Sequence, residues 1–153
     1  MKKMAFLLVC VLAVSLFVGC VDNPVSAPTP TPTPRYEDAE FLSWLLHTSD
    51  IITRDLNALS ESANSINIFK TRDRAKRLYN DCEIALDEID NFDISPELVP
   101  VREEVRSGLY DLKMAALHIQ HFRYDEAIEY LERGGNHFSR ATEMIRDMGE
   151  YIL

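Results

Sequence analysis

Apolar side chains recur every three or four residues along most of the chain beyond residue 36. Phe41, Leu45, Thr48, Ile52, Leu56, Leu59, Ala63 and Ile66 follow one another at spacings of 4-3-4-4-3-4-3. Ala75, Leu78, Cys82, Ala85, Ile89 and Phe92 form a second series of the same kind. Leu98, Val101, Val105, Leu109, Leu112, Ala116 and Ile119 form a third, and Ala127, Leu131, Gly134, Phe138, Ala141, Ile145, Met148 and Ile152 a fourth. Each series lays one apolar stripe along a helix with polar residues opposite. Period-two alternation, the mark of a half-buried strand, is absent. Residues 35–95 contain neither Pro nor Gly, which suits long helices and suits a many-turned β protein badly.

The pattern predicts helices near 37–65, 70–92, 96–122 and 125–152. Asn67 or Thr71 is placed to cap the second. Ser95-Pro96-Glu97 reads as N-cap, first-turn proline and first-turn acid of the third. Short connections make consecutive helices antiparallel neighbours, so the expected fold is all-α, an up-down-up-down four-helix bundle. A three-helix bundle with two segments fused is the runner-up. Gly134-Gly135 inside the fourth helix costs about 1 kcal/mol per glycine and implies a kink or the close approach of another helix. Tyr124-Asp125-Glu126-Ala127-Ile128-Glu129-Tyr130 is similar to the inter-helix turn of a tetratricopeptide repeat. No period of roughly 34 residues recurs, however, so the segment reads as a plain helical hairpin.

The chain opens differently. Lys2 and Lys3 precede an apolar run from Met4 to Val18, which closes on Leu16-Phe17-Val18-Gly19-Cys20. The run is shorter than the roughly 20 apolar residues that span a bilayer and fits the core of a signal peptide. A small residue just before a Cys, after such a run, resembles the lipobox of prokaryotic (bacterial or archaeal) lipoproteins. The resemblance implies a signal peptide over 1–19, diacylglyceryl attachment to the Cys20 thiol and cleavage just before it. Phe17 and Val18 depart from the commoner Leu and Ala or Ser of that pattern. The alternative is an uncleaved N-terminal anchor. Either way the two lysines stay inside and the rest of the chain lies on the extracytoplasmic face, at the cell surface or in the periplasm. A diacylglyceryl group supplies the two chains that stable membrane attachment requires.

Residues 20–35 hold the lipid-bearing Cys and a linker. Pro28-Thr29-Pro30-Thr31-Pro32-Thr33-Pro34 alternates without a break and favours polyproline II, because proline fixes φ and donates no hydrogen bond. At roughly 3.1 Å per residue, 21–35 is a spacer of up to about 45 Å. Residues 36–153 form the helical domain.

Candidate chemistry is sparse. The chain has 153 residues and a net charge of −9, and loss of Lys2 and Lys3 leaves 14 basic against 25 acidic residues, or −11. That balance argues against a nucleic-acid partner. His118 and His121 are i,i+3 on one helix and could chelate a metal. The Glu-x-x-His pairs of a di-iron bundle are absent. Cys82, on the apolar stripe of the second helix, reads as a buried small hydrophobe. No catalytic residue, cofactor site or metal site is assigned. Arg72, Arg74, Lys76 and Arg77 crowd the start of the second helix, against the preference of the macrodipole. Either acids on neighbouring helices offset them or they bind something. Arg102 and Arg106 should meet Asp87 and Asp90 across an antiparallel pair. The expectation is a lipid-anchored, non-catalytic helical domain with a structural or protein-interaction role. The alternative is a ligand-binding module with a pocket near Gly134 and Trp44.

Overall fold

Asp38 and Glu40 put two acids in the first turn of the first helix, where the partial positive charge of a helix start favours them. The computed structural model describes residues 36–65 and 67–152. The expected signal peptide 1–19, Cys20, the linker to residue 35 and the stripe residue Ile66 lie outside the described residues. Four α-helices follow among those described: α1 (Asp38–Asn64), α2 (Ile68–Glu88), α3 (Val99–Gln120) and α4 (Tyr124–Ile152). A 3-10 turn, Ile89–Asn91, ends α2. The architecture is the all-α four-helix bundle that the spacing predicts, with no strand among the described residues. No described helix is long and apolar enough to cross a membrane.

The helix ends follow local chemistry. The Asn67 side chain accepts a hydrogen bond from the Lys70 N–H at 3.0 Å, so it is the cap of α2, and Thr71 is buried one turn in. The start of α3 corrects the sequence reading. Ser95 does not cap the helix; its N–H donates to Asp38 Oδ1 at 2.8 Å, and its carbonyl accepts the Leu98 N–H at 3.0 Å. Residues 95–98 are therefore held as a turn against the start of α1, and the first-turn proline of α3 is Pro100, not Pro96. Glu37 adds to this clasp: its N–H donates to the Asp93 carbonyl at 2.7 Å and its carboxylate accepts the Asp93 N–H at 3.0 Å.

At the other end of the bundle, Arg123 N–H donates to the His118 carbonyl and Phe122 N–H to the Ile119 carbonyl, at 2.9 and 3.1 Å. This is the Schellman arrangement, whose turn residue usually is glycine because it needs positive φ. Phe122 fills that place with φ 60° and its ring half exposed.

The core sits around α3. Leu98, Val101, Val105, Leu109, Leu112, Ala116 and Ile119 are all buried, as the third stripe predicts. So are Ala75, Leu78, Cys82, Ala85 and Ile89 of the second stripe. Among the described side chains of the α4 stripe, the small ones, Ala127, Gly134 and Ala141, are fully buried, whereas Leu131, Phe138, Ile145 and Met148 are partly buried against the core. The glycines explain this. A Cβ on Gly134 would stand 3.0 Å from Leu112 Cδ2 and 3.3 Å from the Gly108 carbonyl oxygen, so α3 and α4 touch backbone to backbone at this crossing. Close approach, rather than a kink, accounts for Gly134. Consecutive helices pack along their length, α3 and α4 most extensively, whereas α1 meets α4 at isolated points at most. The bundle is open along that edge.

Candidate functional site

The small residues Ala127, Gly134 and Ala141 recur every seven positions and face α3. Seven-residue recurrence also carries Leu131, Phe138 and Ile145, which fall on the flank of α4 turned toward α1. Drawing α4 onto α3 through small side chains leaves these large ones over a gap. The gap is an apolar seam with three stretches. Near the start of α1, Tyr36, Leu42, Leu98, Ile145 and Met148 border a separate recess of about 580 Å³ that also has the acids Asp38 and Glu97 and Ser95 in its lining. Midway, Ile52, Leu56, Leu112, Leu131, Gly135 and Phe138 line about 340 Å³, with the hydroxyl side chains Ser49, Thr53 and Thr142 at the edge. Toward the far end, Leu59, Ala63, Thr71, Ile119, Tyr124 and Ile128 border about 290 Å³. Leu56 and Leu131 belong to both the second and third stretches, which are therefore continuous, and no charged side chain lines either one. A Cβ at Gly135 would meet nothing within 4 Å, so that glycine opens onto the middle stretch.

Trp44 and Gly134 are not brought together. Trp44 stacks on Phe41 with ring centroids 5.9 Å apart, lies 5.6 Å from the Phe92 ring, and donates its Nε1–H to Glu88 at 2.9 Å. Gly134 is buried in the α3–α4 crossing. Gly135, not Gly134, borders an open apolar stretch.

A polar cleft of about 670 Å³ lies on the other flank of α4, bordered by Leu86, Arg106, Ser107, Tyr110, Asp111, Arg133 and His137. Its charges are mutually engaged. Arg133 meets Asp111 at 2.8 Å and stacks over Tyr130, while His137 Nδ1 and Arg140 Nε meet the same oxygen of Glu104 at 2.7 and 2.9 Å. The His137 hydrogen bond and the Arg140 guanidinium hold Glu104 below the usual carboxylate range, against a smaller opposing effect of burial. This network pins α4 to α3.

The histidines and the cysteine do not assemble a site. His118 is buried against Tyr130 at 5.1 Å, while His121 is exposed in the turn, so the i,i+3 pair does not converge. No cluster of metal-ligating side chains occurs among the described residues. Cys82 is fully buried, and burial, with the nearby charges of Asp81 and Asp55, pushes its thiol up to about 12. It is a packing residue and not a nucleophile at neutral pH.

The cation pattern is divided. Arg77 pairs with Asp55 at 3.2 Å and with Asp81 at 3.7 Å. Lys113 bonds Glu83 at 3.1 Å, and Arg106 pairs with Asp90 as predicted. Arg102 does not join Asp87 or Asp90; its Nη1 reaches the Phe92 carbonyl at 3.5 Å, and its nearest carboxylate is Glu103 at 3.9 Å. Lys70, Arg72, Arg74, Lys76 and Arg123 form no ion pair among the described residues, whereas every other Lys or Arg from 36 to 152 forms one. Exposed apolar side chains gather in the same place: Ile68, Phe69, Phe122, Tyr124 and Ile128, with Phe69 at 83% exposure. Sequence spacing did not single out this end, because Ile68 and Phe69 precede the predicted start of the second helix at residue 70 and fall on none of the four stripes.

No family model, curated protein or solved structure matches the chain.

Proposed function

We propose that the chain is a lipid-tethered, extracytoplasmic helical domain that binds a protein partner and performs no chemistry of its own. The tether reading is supported by the charged start, the apolar run and Gly19-Cys20, and the spacer reading by the unbroken Thr-Pro alternation. The interaction reading is carried by the seam. A helical domain of this size normally covers its large apolar side chains; leaving Leu131 and Phe138 only partly buried along a continuous charge-free groove leaves space for another apolar surface. An amphipathic helix laid between α1 and α4 would complete the bundle.

Gly135 provides the test. Gly135→Trp fills the middle of the groove from a position with open space, so the bundle is left intact. Affinity capture from intact envelopes recovers a partner with the parent chain and loses it with Gly135→Trp. Capture of no partner, or equal capture by both chains, contradicts the reading.

A second reading has its own observation. The stretch of about 340 Å³ at Gly135 combines apolar walls with Ser49, Thr53 and Thr142 hydroxyls, a composition suited to a small apolar ligand with one or two polar groups. Thermal shift with a metabolite panel, lost in Gly135→Trp, favours that reading over the first.

A further inference from the structure

We infer that the end of the bundle formed by the start of α2 and the α3–α4 turn docks an acidic protein segment that carries apolar anchor residues. The inference rests on the interaction reading above and adds where the partner binds and what chemistry it has.

The five cations without an ion pair among the described residues all lie at this end: Lys70, Arg72, Arg74 and Lys76 on α2, and Arg123 in the turn. Asp73 is the single acid within 70–77. Elsewhere the domain neutralises its basic side chains internally, although acids are in excess. Four cations at a helix start also oppose the helix macrodipole, and α2 has no acid in its first turn to offset them. Unoffset charge of this kind is expected where a partner supplies the counter-charge.

The apolar side chains fix the nature of that partner. Ile68, Phe69, Phe122, Tyr124 and Ile128 are each between 46% and 83% exposed, and Phe122 holds its ring outward from a left-handed backbone that glycine would adopt more readily. Beside them the seam ends in a recess of about 290 Å³ between Ala63, Thr71 and Ile128, large enough for one aromatic or two aliphatic side chains. A flat anionic bilayer fits this end poorly, because Asp125 and Glu126 in the first turn of α4 would press against its headgroups. A narrow segment can follow the α2 cations with its acids, lower an apolar side chain into the recess and leave the α4 acids in water.

The test uses the full-length chain in detergent micelles and a dye-labelled synthetic peptide of alternating Glu with Leu and Phe, read by fluorescence anisotropy at low ionic strength. Saturable binding is expected, weakened about tenfold or more by Lys70→Glu/Arg72→Glu and similarly by Ile128→Asp. All three positions are exposed, and an unchanged circular dichroism spectrum verifies the fold. Arg146→Glu, toward the opposite end of α4, leaves binding unchanged, and a peptide of Glu alone binds at least about tenfold more weakly. Absence of saturable binding, or equal weakening by Arg146→Glu, overturns the inference. So does binding of phosphatidylglycerol vesicles through Lys70 and Arg72 that the peptide fails to displace, which would assign this end to a membrane. If envelope capture through the seam succeeds but is indifferent to Lys70→Glu/Arg72→Glu, the interaction reading stands and this inference alone fails.

Discussion

Gly134→Leu destabilises the bundle by about 3 kcal/mol or more, while Gly135→Ala, one residue further on, stabilises it by up to about 1 kcal/mol. The two glycines differ only in what surrounds them. At Gly134 even a Cβ lies 3.0 Å from Leu112 Cδ2, 3.1 Å from Leu112 Cγ and 3.3 Å from the Gly108 carbonyl oxygen. The last of these is backbone and cannot rotate away, so a larger side chain forces α4 off α3 along its main packing interface. Gly108 answers from the other side: a Cβ there would sit 2.8 Å from the Phe138 ring. At Gly135 no atom stands within 4 Å, and alanine gains helix propensity without a clash. Thermal unfolding followed by circular dichroism separates the pair. Similar shifts of the same sign would contradict the backbone contact between α3 and α4.

Asp55→Asn stabilises the domain at pH 7.5 by about 2–3 kcal/mol and has little effect near pH 4. Asp55 lies at the α1–α2 interface with its side chain 2% exposed. Oδ1 meets Arg77 at 3.2 Å and Arg54 at 3.7 Å, but Oδ2 is buried without a partner. Burial, and then the neighbouring Asp81 carboxylate, push Asp55 up to about 6, against the opposing pull of Arg77 and Arg54. A carboxyl whose pKa is raised on folding favours the folded state below its unfolded pKa near 4, and that contribution is lost as pH rises through about 6. The parent chain therefore loses stability between pH 4 and 6 from this group, and the asparagine variant lacks that slope. The amide can donate toward Asp81 as the protonated acid would, without the cost of a buried charge. A variant less stable than the parent at pH 7.5 would mean that the Arg77 ion pair outweighs burial.

The helices were legible because each carries its stripe at three- and four-residue steps with no proline beyond the first turn. Leu98 to Ile119 is the clearest case, since every position of that stripe is buried. The start of α3 was not legible: Pro96 and Pro100 both suit a first turn, and the choice depends on Asp38 reaching Ser95 from 57 residues away. The seam was hidden for a related reason. Leu131, Phe138 and Ile145 have the spacing of core residues, and what exposes them is the small-residue contact of Gly134 with Gly108. Gly108 carried no signal of its own, being a lone glycine in a long apolar series. Arg102 was misplaced because spacing gives the face of a helix but not the acceptor a long side chain selects, here the Phe92 carbonyl. The cation cluster at α2 was visible as a violation of the helix-dipole preference, but only the fold separates Arg77, which has Asp55 and Asp81, from the four that lack such partners.

The mass of the N-terminal peptide of the mature chain tests most directly whether a lipid tether holds this bundle outside the cytoplasm. The predicted result is a chain that begins at Cys20 and carries a diacylglyceryl group on its thiol. A chain that retains Lys2 and Lys3 with an unmodified Cys20, recovered from the cytosol, would contradict it.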